Sequence, residues 1–431
     1  MERGLTLQSG GWQDRQAQAC GVDFGTSNST VGWYRPGEAA LLPLEEGKSS
    51  LPSIVFFHAE DPLVSYGRAA LDDYLAGYEG RMMRSLKSLL GTSMMDDCTE
   101  VMGQAMPFRG LLAQFIGELK RRAEAAAGRE FTQAVLGRPV RFIDEDDEAD
   151  RVAQQTLEDI ARAAGFRDIA FQFEPIAAAF DYEARIGGEE LVLVADIGGG
   201  TSDFSLLRLS PRRAGLADRR DDILASAGVH IGGTDFDRSL SLASAMPLLG
   251  LGSSLRNGKA MPSGLYFDLA SWHTINQVYT RKAWAHVMDN YRDAGDKAPL
   301  DRLLTLIRQR AGHWLALQVE SAKIILSAET AARLDLGRIA PGESLEVGRA
   351  DFDEAIVRLV GKVERTVADL LQSAGVDAGE VDTILFAGGS SSVPLLRQRL
   401  AAQLPQARCV EGDVFGGIGA GLALDAARKF G

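Results

Sequence analysis

Two segments of the sequence place an aspartate at the end of an apolar run and follow it with a turn rich in glycine and hydroxyl residues. Asp23 precedes residues 24–29 (FGTSNS), and Asp196 precedes residues 197–203 (IGGGTSD). Glycine allows main-chain N–H groups to approach phosphate oxygens, and an aspartate beside such a turn suits a hydrated magnesium ion. Two ordinary hairpin turns are the alternative, but two matching copies favour a polyphosphate-binding clamp.

The elements that carry the two turns follow one plan. In each copy an apolar run, typical of a buried strand, ends at the aspartate, and a second strand returns after the turn. Residues 191–195 form the clearest incoming run, and residues 204–209 form its return. The repeated plan predicts an internal duplication, with each half a mixed α/β unit.

Further elements are predicted between and after the hairpins. Apolar residues recur at helical spacing in 111–119, 152–164 and 352–371, which predicts amphipathic helices. A strand at 383–387 runs into a glycine- and serine-rich segment at 388–392. No stretch has the composition of a low-complexity linker.

Composition narrows the range of partners. A net charge of -13 gives no reason to expect nucleic-acid binding, which usually depends on a basic patch. The cysteines Cys20, Cys98 and Cys409 match no zinc or redox spacing. Residues 1–19 lack the apolar core of a secretory signal, and no apolar run approaches the roughly 20 residues that span a bilayer. We therefore expect a cytoplasmic protein with neither nucleic-acid nor membrane partners.

Several segments resemble, in the same order, the nucleotide-binding domain of the DnaK-type (seventy-kilodalton heat-shock) chaperones. They are 22–29 (VDFGTSNS), 87–91 (KSLLG), 173–179 (FEPIAAA), 196–203 (DIGGGTSD), 231–237 (IGGTDFD) and 388–394 (GGSSSVP). The amino-acid sequence around residues 137–139 and 164–168 is most similar to the short YegD-type branch of that family. The resemblance implies the actin-like (ribonuclease H-like) ATPase fold, an α/β fold in which two duplicated lobes surround a nucleotide cleft.

The resemblance also implies a reaction, the Mg²⁺-dependent hydrolysis of ATP to ADP and phosphate. Lys87 and Glu174 would position and polarise the attacking water and the γ-phosphate, with Asp196 and Thr201 beside them. Phosphoryl transfer depends mainly on positioning and charge stabilisation, which opposite fixed charges can supply. Asp23 and Asp196 would hold Mg²⁺ largely through water.

Two sets of nucleotide-binding residues follow from the resemblance. The phosphate-binding set is Gly25, Thr26, Ser27, Asn28, Gly198, Gly199, Gly200 and Thr201. The adenosine-binding set is Gly232, Gly233, Glu320, Lys323, Ser327, Gly388, Gly389, Ser390 and Asp413. The sequence departs from the family pattern at Ser392, where many relatives place an arginine over the adenine.

The domain organisation is predicted from the same matches. We expect an N-terminal extension at 1–19, lobe I at 20–188, lobe II at 189–407 and a return to lobe I at 408–431. Residues 240–315 are longer than the corresponding part of typical chaperone relatives and are rich in aromatic side chains. These aromatic residues form either the core of an added helical subdomain or a partner surface, and the core is favoured.

The resulting prediction is a chaperone-like protein that hydrolyses ATP slowly and couples hydrolysis to lobe closure. A small-molecule kinase of the same fold and an actin-like filament whose nucleotide controls assembly are the alternatives; Glu174, Pro175 and Lys87 favour the chaperone-like interpretation. Because the chain ends at Gly431, we expect it to lack the family's peptide-binding domain and not to bind unfolded peptides. A protein partner is expected to contact lobe II, through residues 240–315.

Overall fold

The computed structural model of the chain describes residues 19–101, 103–143, 146–216, 218–412 and 416–431. The predicted extension at 1–19 therefore lies outside the described residues, except for Ala19. The strands are β1 Ala19–Phe24, β2 Asn28–Gly32, β3 Ser50–Pro52, β4 Ile54–His58, β5 Val64–Tyr66, β6 Gly80–Arg84, β7 Cys98–Val101, β8 Gln104–Pro107, β9 Gln133–Arg138, β10 Asp168–Phe173, β11 Glu190–Ile197, β12 Ser202–Leu209, β13 Ile223–Val229, β14 Ala331–Asp335, β15 Ser344–Gly348, β16 Thr383–Ala387 and β17 Arg408–Glu411. The helices are α1 Gly67–Ala76, α2 Phe108–Ala127, α3 Asp147–Ala163, α4 Glu174–Glu183, α5 Gly233–Ala243, α6 Ala245–Leu248, α7 Gly264–Leu269, α8 Arg281–Asp293, α9 Ala298–Arg308, α10 Gly312–Ala328, α11 Arg349–Ala374, α12 Pro394–Gln403 and α13 Gly417–Phe430.

Two sheets of the same topology form the centre of the molecule. The first has the strand order β10-β9-β1-β2-β3, and the second has the order β17-β16-β11-β12-β13. In each sheet the strand that carries the predicted aspartate pairs antiparallel with the next strand and parallel with a later one. The equivalent strand orders agree with a duplicated α/β unit.

The central strand of the second sheet owes its position to its apolar sequence. Residues 192–195 of β11 are fully buried on both faces, as expected for a strand flanked by neighbours and covered above and below. Helices α5, α10 and α11 supply part of the cover, through core residues such as Phe236, Val319 and Phe352. The first sheet is covered in the same way by α2 and α3, with Phe115 and Leu157 in its core.

Helix α4 lies between the two sheets. Ile176 and Phe180 pack with residues of the second sheet. Ala177, on the other side of the helix, packs with Val135 of the first sheet and with Leu422 of α13. The first residue of α4 is therefore held by an element that contacts both lobes.

The expected return to lobe I at residue 408 is wrong at its start. Residues 408–411 form β17, which pairs parallel with β16 and so belongs to the second sheet. The crossover through α12 explains this pairing, because a strand–helix–strand unit places its second strand parallel to the first. Only α13 returns, and it packs against β1, β9 and α4.

Residues 240–315 fold as a group of helices joined to the core of lobe II. Tyr266 is buried in this core, while Tyr279, Trp284, Tyr291 and Trp314 are partly buried against it. Most of the aromatic residues in this region thus contribute to packing, as favoured from the sequence.

No helix in the described parts of the chain combines the length and apolar character needed to cross a membrane.

Candidate functional site

The two predicted phosphate turns lie against each other at the carboxyl ends of β1 and β11. Asp23 and Asp196 each occupy the penultimate position of their strand. A Cβ atom added at Gly199 would lie 2.2 Å from the Oγ atom of Ser27, so the second turn approaches the first too closely for a side chain here. The duplicated hairpins therefore bring both turns to one site.

Lys87 and Glu174 form an ion pair beside the aspartates. The Nζ atom of Lys87 lies 2.5 Å from Oε1 of Glu174, and the two side chains are only 12% and 13% exposed. Burial acts to lower the pKa of Lys87, but the nearby carboxylates, above all Glu174, outweigh it and hold the pKa above its usual value. Lys87 therefore remains protonated at neutral pH.

Local structure positions this ion pair. Lys87 lies in a 3₁₀ turn, Leu86–Leu89, that follows β6. Glu174 begins α4, and Pro175 follows it in the first turn, where a missing N–H costs no helical hydrogen bond. A Cβ atom added at Gly137, at the end of β9, would lie 3.2 Å from the Cγ atom of Glu174. The first sheet thus contacts the glutamate side chain directly.

The two aspartates are poorly compensated by positive charge. Burial, followed by the charge of Glu174, raises the pKa of Asp23 to about 7. Burial, followed by the charges of Asp203 and Glu174, raises the pKa of Asp196 to about 8. Lys87 opposes both shifts but does not cancel them. A bound cation would relieve this repulsion and favour the ionised carboxylates.

The predicted adenosine-binding residues form a second cluster at the start of α5. The N–H of Gly233 donates to the carbonyl oxygen of Gly198 at 3.0 Å, which joins α5 to the second phosphate turn. The Nζ atom of Lys323 lies 3.3 Å from the carbonyl oxygen of Gly233 and 2.9 Å from the carboxylate of Asp237. A Cβ atom added at Gly233 would lie 2.3 Å from the Oγ atom of Ser390. Helix α10 and the turn after β16 therefore meet α5 at one place.

Gly388 connects the adenosine cluster to the acidic cluster, which consists of Asp23, Glu174 and Asp196. Its φ of +75° favours glycine, and a Cβ atom added there would lie 2.4 Å from Oδ1 of Asp196. Gly389 and Ser390 follow it in the 3₁₀ turn Gly389–Ser392. The turn after β16 consequently lies against the aspartate of the second hairpin.

Three other residues of the predicted adenosine-binding set lie on α10 or at the start of α5. Glu320 and Ser327 are on α10, one helical turn to either side of Lys323, and the Ser327 hydroxyl donates to the Lys323 carbonyl oxygen at 3.2 Å. A Cβ atom added at Gly232 would lie 2.6 Å from the carbonyl group of Gly199. Asp413 lies outside the described residues.

Two hydrogen bonds between its own residues hold the second phosphate turn in shape. The N–H of Gly198 donates to the carbonyl oxygen of Thr201 at 2.9 Å. The hydroxyl of Thr201 donates to the carboxylate of Asp203 at 2.8 Å. Gly200 differs from Gly199 because a Cβ atom there would meet open space. The turn is thus closed at its base and open at its tip.

A serine that was not predicted from the sequence supports the first phosphate turn. The N–H of Ser53 donates to the carbonyl oxygen of Ser27 at 2.9 Å. The hydroxyl of Ser53 donates to the carbonyl oxygen of Gly25 at 2.7 Å. Ser53 is buried, next to Pro52 at the end of β3. No motif marks this serine, because its role depends on pairing between β2 and β3.

A contact between the lobes, which we call the cross-lobe contact, joins α1 and β6 of lobe I to the helical region of lobe II. It was not predicted from the sequence. The hydroxyl of Tyr74 lies 2.8 Å from Nδ1 of His313 and 3.3 Å from Oδ1 of Asn276. The Nε2 atom of His313 lies 3.1 Å from the carbonyl oxygen of Trp272 and must donate to it, because a carbonyl oxygen only accepts. The Arg84 guanidinium lies 4.4 Å from the centre of the Trp272 ring, a cation–π contact.

This histidine should make stability depend on pH. Burial lowers the pKa of His313 from 6.5 to about 4. The unfolded chain therefore binds more protons than the folded protein between these values, so the free energy of unfolding should fall as the pH falls from 6.5 towards 4. His313→Gln, which cannot titrate, should reduce this slope in urea unfolding followed at several pH values. The exposed His230→Gln should preserve it, and an unchanged slope in His313→Gln would contradict the prediction.

The fold and site together define a class of protein. Duplicated α/β lobes whose phosphate turns face each other from equivalent strand ends characterise the actin-like proteins, which hold a nucleotide between two lobes. The predicted fold class is confirmed.

The chain belongs to the Hsp70 family. A family model described as Hsp70 protein matches residues 19–244 and 304–424. These segments include both hairpins, the Lys87–Glu174 ion pair and the adenosine cluster, while residues 245–303 fall between them. The predicted family resemblance is thereby confirmed.

Curated relatives carry chaperone names. The chain is 29% identical over 403 residues to a "Chaperone protein HscA homolog" of Pseudomonas aeruginosa, covering 88% of the chain and 52% of the relative. It is 28% identical over 407 residues to "Chaperone protein HscA" of Klebsiella pneumoniae, covering 89% and 53%, respectively. A homolog from Shewanella denitrificans is 27% identical over 402 residues, with 89% and 54% covered. The chain thus spans about half the length of the curated relatives it matches.

Proposed function

We propose that this chain binds ATP and Mg²⁺ between its lobes and hydrolyses the nucleotide slowly, with hydrolysis coupled to lobe closure. The observation that carries the proposal is the Lys87–Glu174 ion pair beside Asp23 and Asp196 at equivalent ends of the duplicated hairpins. Membership of the Hsp70 family supports an ATPase over a small-molecule kinase or a nucleotide-controlled filament.

The residues present fit a nucleotide and a hydrated magnesium ion. Close packing leaves main chain, rather than a side chain, beside Asp196 at Gly388 and between the two turns at Gly199. Among the described residues, no three His, Cys, Asp or Glu side chains are grouped to ligate a metal directly. An ion held through Asp23 and Asp196 would keep several of its waters. When bound, magnesium neutralises phosphate charge and orients the phosphate oxygens.

Lys87 and Glu174 then have different roles in hydrolysis. The ammonium group of Lys87 remains charged and stabilises the negative charge that develops on the γ-phosphate oxygens. Glu174 fixes the position of this ammonium group and helps orient the attacking water. Because α4 packs against both sheets, a rotation of the lobes would move Glu174 relative to the phosphates. This arrangement provides the proposed link between lobe closure and hydrolysis.

The phosphate- and adenosine-binding sets complete the proposed site. Residues 25–28 and 198–201 would contact the phosphates, since their turns meet beside the acids. Adenosine would lie where α5, α10 and residues 388–390 meet, with Lys323 held in place by Asp237.

Calorimetric titration tests the proposed function directly. ATP with MgCl₂ should bind one molecule per chain, and a chelator should weaken binding because the aspartates then repel the phosphates. Asp196→Asn should weaken the Mg²⁺-dependent part of the affinity by about 10- to 100-fold, whereas the exposed Asp369→Asn should not change it. No heat of binding with or without the chelator would overturn the proposal.

The names of the relatives support a chaperone-like role for this chain. We assign contact with a protein partner to lobe II, where the helical region exposes Phe267 at its surface. Aromatic side chains at a surface are typical anchors of protein interfaces. Nucleotide can regulate such a contact only if the partner distinguishes open from closed lobes.

A further inference from the structure

A cavity lies in the helical segment that the family model leaves unmatched. Residues 245–303 separate the two matched parts of the chain. Within this segment, α7, the 3₁₀ turn Ile275–Tyr279, α8 and the start of α9 enclose a cavity of about 470 Å³. Pockets for small organic ligands typically measure roughly 300–1,000 Å³, so its size suits a ligand of this class.

Apolar and acidic side chains both line the cavity. Apolar side chains form much of the wall, including Leu265, Tyr266, Val278, Val287, Leu300 and Leu303. Two acids, Asp268 and Asp289, also line it, whereas none of its described lining residues is lysine or arginine. Asp289 pairs with Arg292 at the surface. Asp268 is partly buried, and its carboxylate forms no hydrogen bond or ion pair with any described residue.

We propose that this cavity binds a small organic cation with an apolar body, such as an aromatic amine. The body would contact the apolar walls, and the cationic group would pair with the carboxylate of Asp268. Apolar walls disfavour a fully hydrated cation such as a polyamine. The two carboxylates disfavour an apolar anion of the same size.

The cavity also shares a wall with the cross-lobe contact. Gln277 and Val278 of the 3₁₀ turn line the cavity. Asn276 of the same turn contacts Tyr74 of lobe I at 3.3 Å, and the Tyr279 hydroxyl accepts from the N–H of Gly312 at 2.9 Å. A ligand that fills the cavity would hold the turn against α1 and slow nucleotide release. This second effect rests on the proposed function, whereas binding of the cation does not.

The binding test uses the full chain without nucleotide and the fluorescent cation 9-aminoacridine. One molecule should bind per chain, and Asp268→Asn should weaken binding about tenfold, as expected for loss of a contact between charged groups. The exposed Asp293→Asn, which lies outside the cavity lining, is the charge-matched control. Ala283→Trp on the cavity wall should abolish binding, whereas Ala285→Trp on the exposed side of α8 should preserve it.

The coupling test measures release of a fluorescent ADP analogue. Saturating 9-aminoacridine should slow release several-fold in the unmodified chain and have no effect in Ala283→Trp. Tyr74→Phe should retain dye binding but lose the effect on release, because the cross-lobe contact then lacks its hydroxyl.

Three outcomes would overturn the inference. They are equally tight binding of the anionic dye 1-anilinonaphthalene-8-sulfonate, binding that survives Ala283→Trp, and displacement of the dye by spermidine or by a basic peptide at comparable concentrations. Dye binding without any ADP binding would instead overturn only the proposed function. ADP binding without dye binding would overturn only the cavity assignment.

Discussion

Lys87→Ala should slow single-turnover ATP hydrolysis by about 100- to 1,000-fold, equivalent to about 2.7–4 kcal/mol of lost transition-state stabilisation. The expected loss follows from the buried ammonium group, which lies 2.5 Å from Glu174 and within electrostatic reach of Asp23 and Asp196. Nucleotide affinity should change little, because the turns and the adenosine cluster remain intact. Rapid-quench measurements at saturating Mg²⁺ and ATP separate hydrolysis from binding.

A matched control and a double variant make this test specific. The exposed Lys362→Ala on α11 removes the same charge far from the acidic cluster and should hydrolyse ATP at the unmodified rate. Lys87→Ala combined with Glu174→Gln should lose little more activity than Lys87→Ala alone, because the two side chains act as a unit. Wild-type hydrolysis by Lys87→Ala would show that the proposed role of this lysine is wrong.

Arg219→Ala should lower the free energy of unfolding by about 3–5 kcal/mol. The guanidinium group of Arg219 is fully buried and lies 2.7 Å from Glu183, and it also pairs with Asp222. Removing it leaves both carboxylates buried with less compensating charge, although Arg213 still contacts Asp222. Urea unfolding measures the loss.

The neighbouring Arg220 provides the control because it is exposed and carries the same charge. Arg220→Ala should change the unfolding free energy by less than about 0.5 kcal/mol, as is usual for surface substitutions. Equal stability of Arg219→Ala and the unmodified chain would contradict the prediction. A hydrolysis defect in a folded Arg219→Ala would have a structural cause, because Glu183 and Glu174 are the two ends of α4.

The buried network around Arg219 connects stability to the proposed site. It anchors the C-terminal end of α4 to the loop before β13, while the N-terminal end presents the catalytic candidate Glu174. Packing against both sheets holds the middle of the helix. The helix is therefore constrained by lobe I, lobe II and a buried ion-pair network together.

Local sequence patterns were sufficient to predict several elements and the family. The apolar run at 191–195 lies within β11, and the predicted helix at 352–371 lies within α11. These elements were predictable because hydrophobic periodicity and chain-reversing glycines act over a few residues. The two Asp–glycine turns could be recognised as copies of each other because their pattern also extends over only a few residues.

Contacts between distant residues could not be predicted from local patterns and are known from the folded chain. Lys87 and Glu174 are 87 positions apart, and no local pattern encodes their ion pair. The bracing of the first turn by Ser53, the pairing of β17 with β16 and the cross-lobe contact of Tyr74 with His313 are of the same kind. Each depends on which strand edges and helix faces remain to be covered once the sheets have formed. That outcome is set by long-range packing of the whole chain rather than by the residue types near any one position.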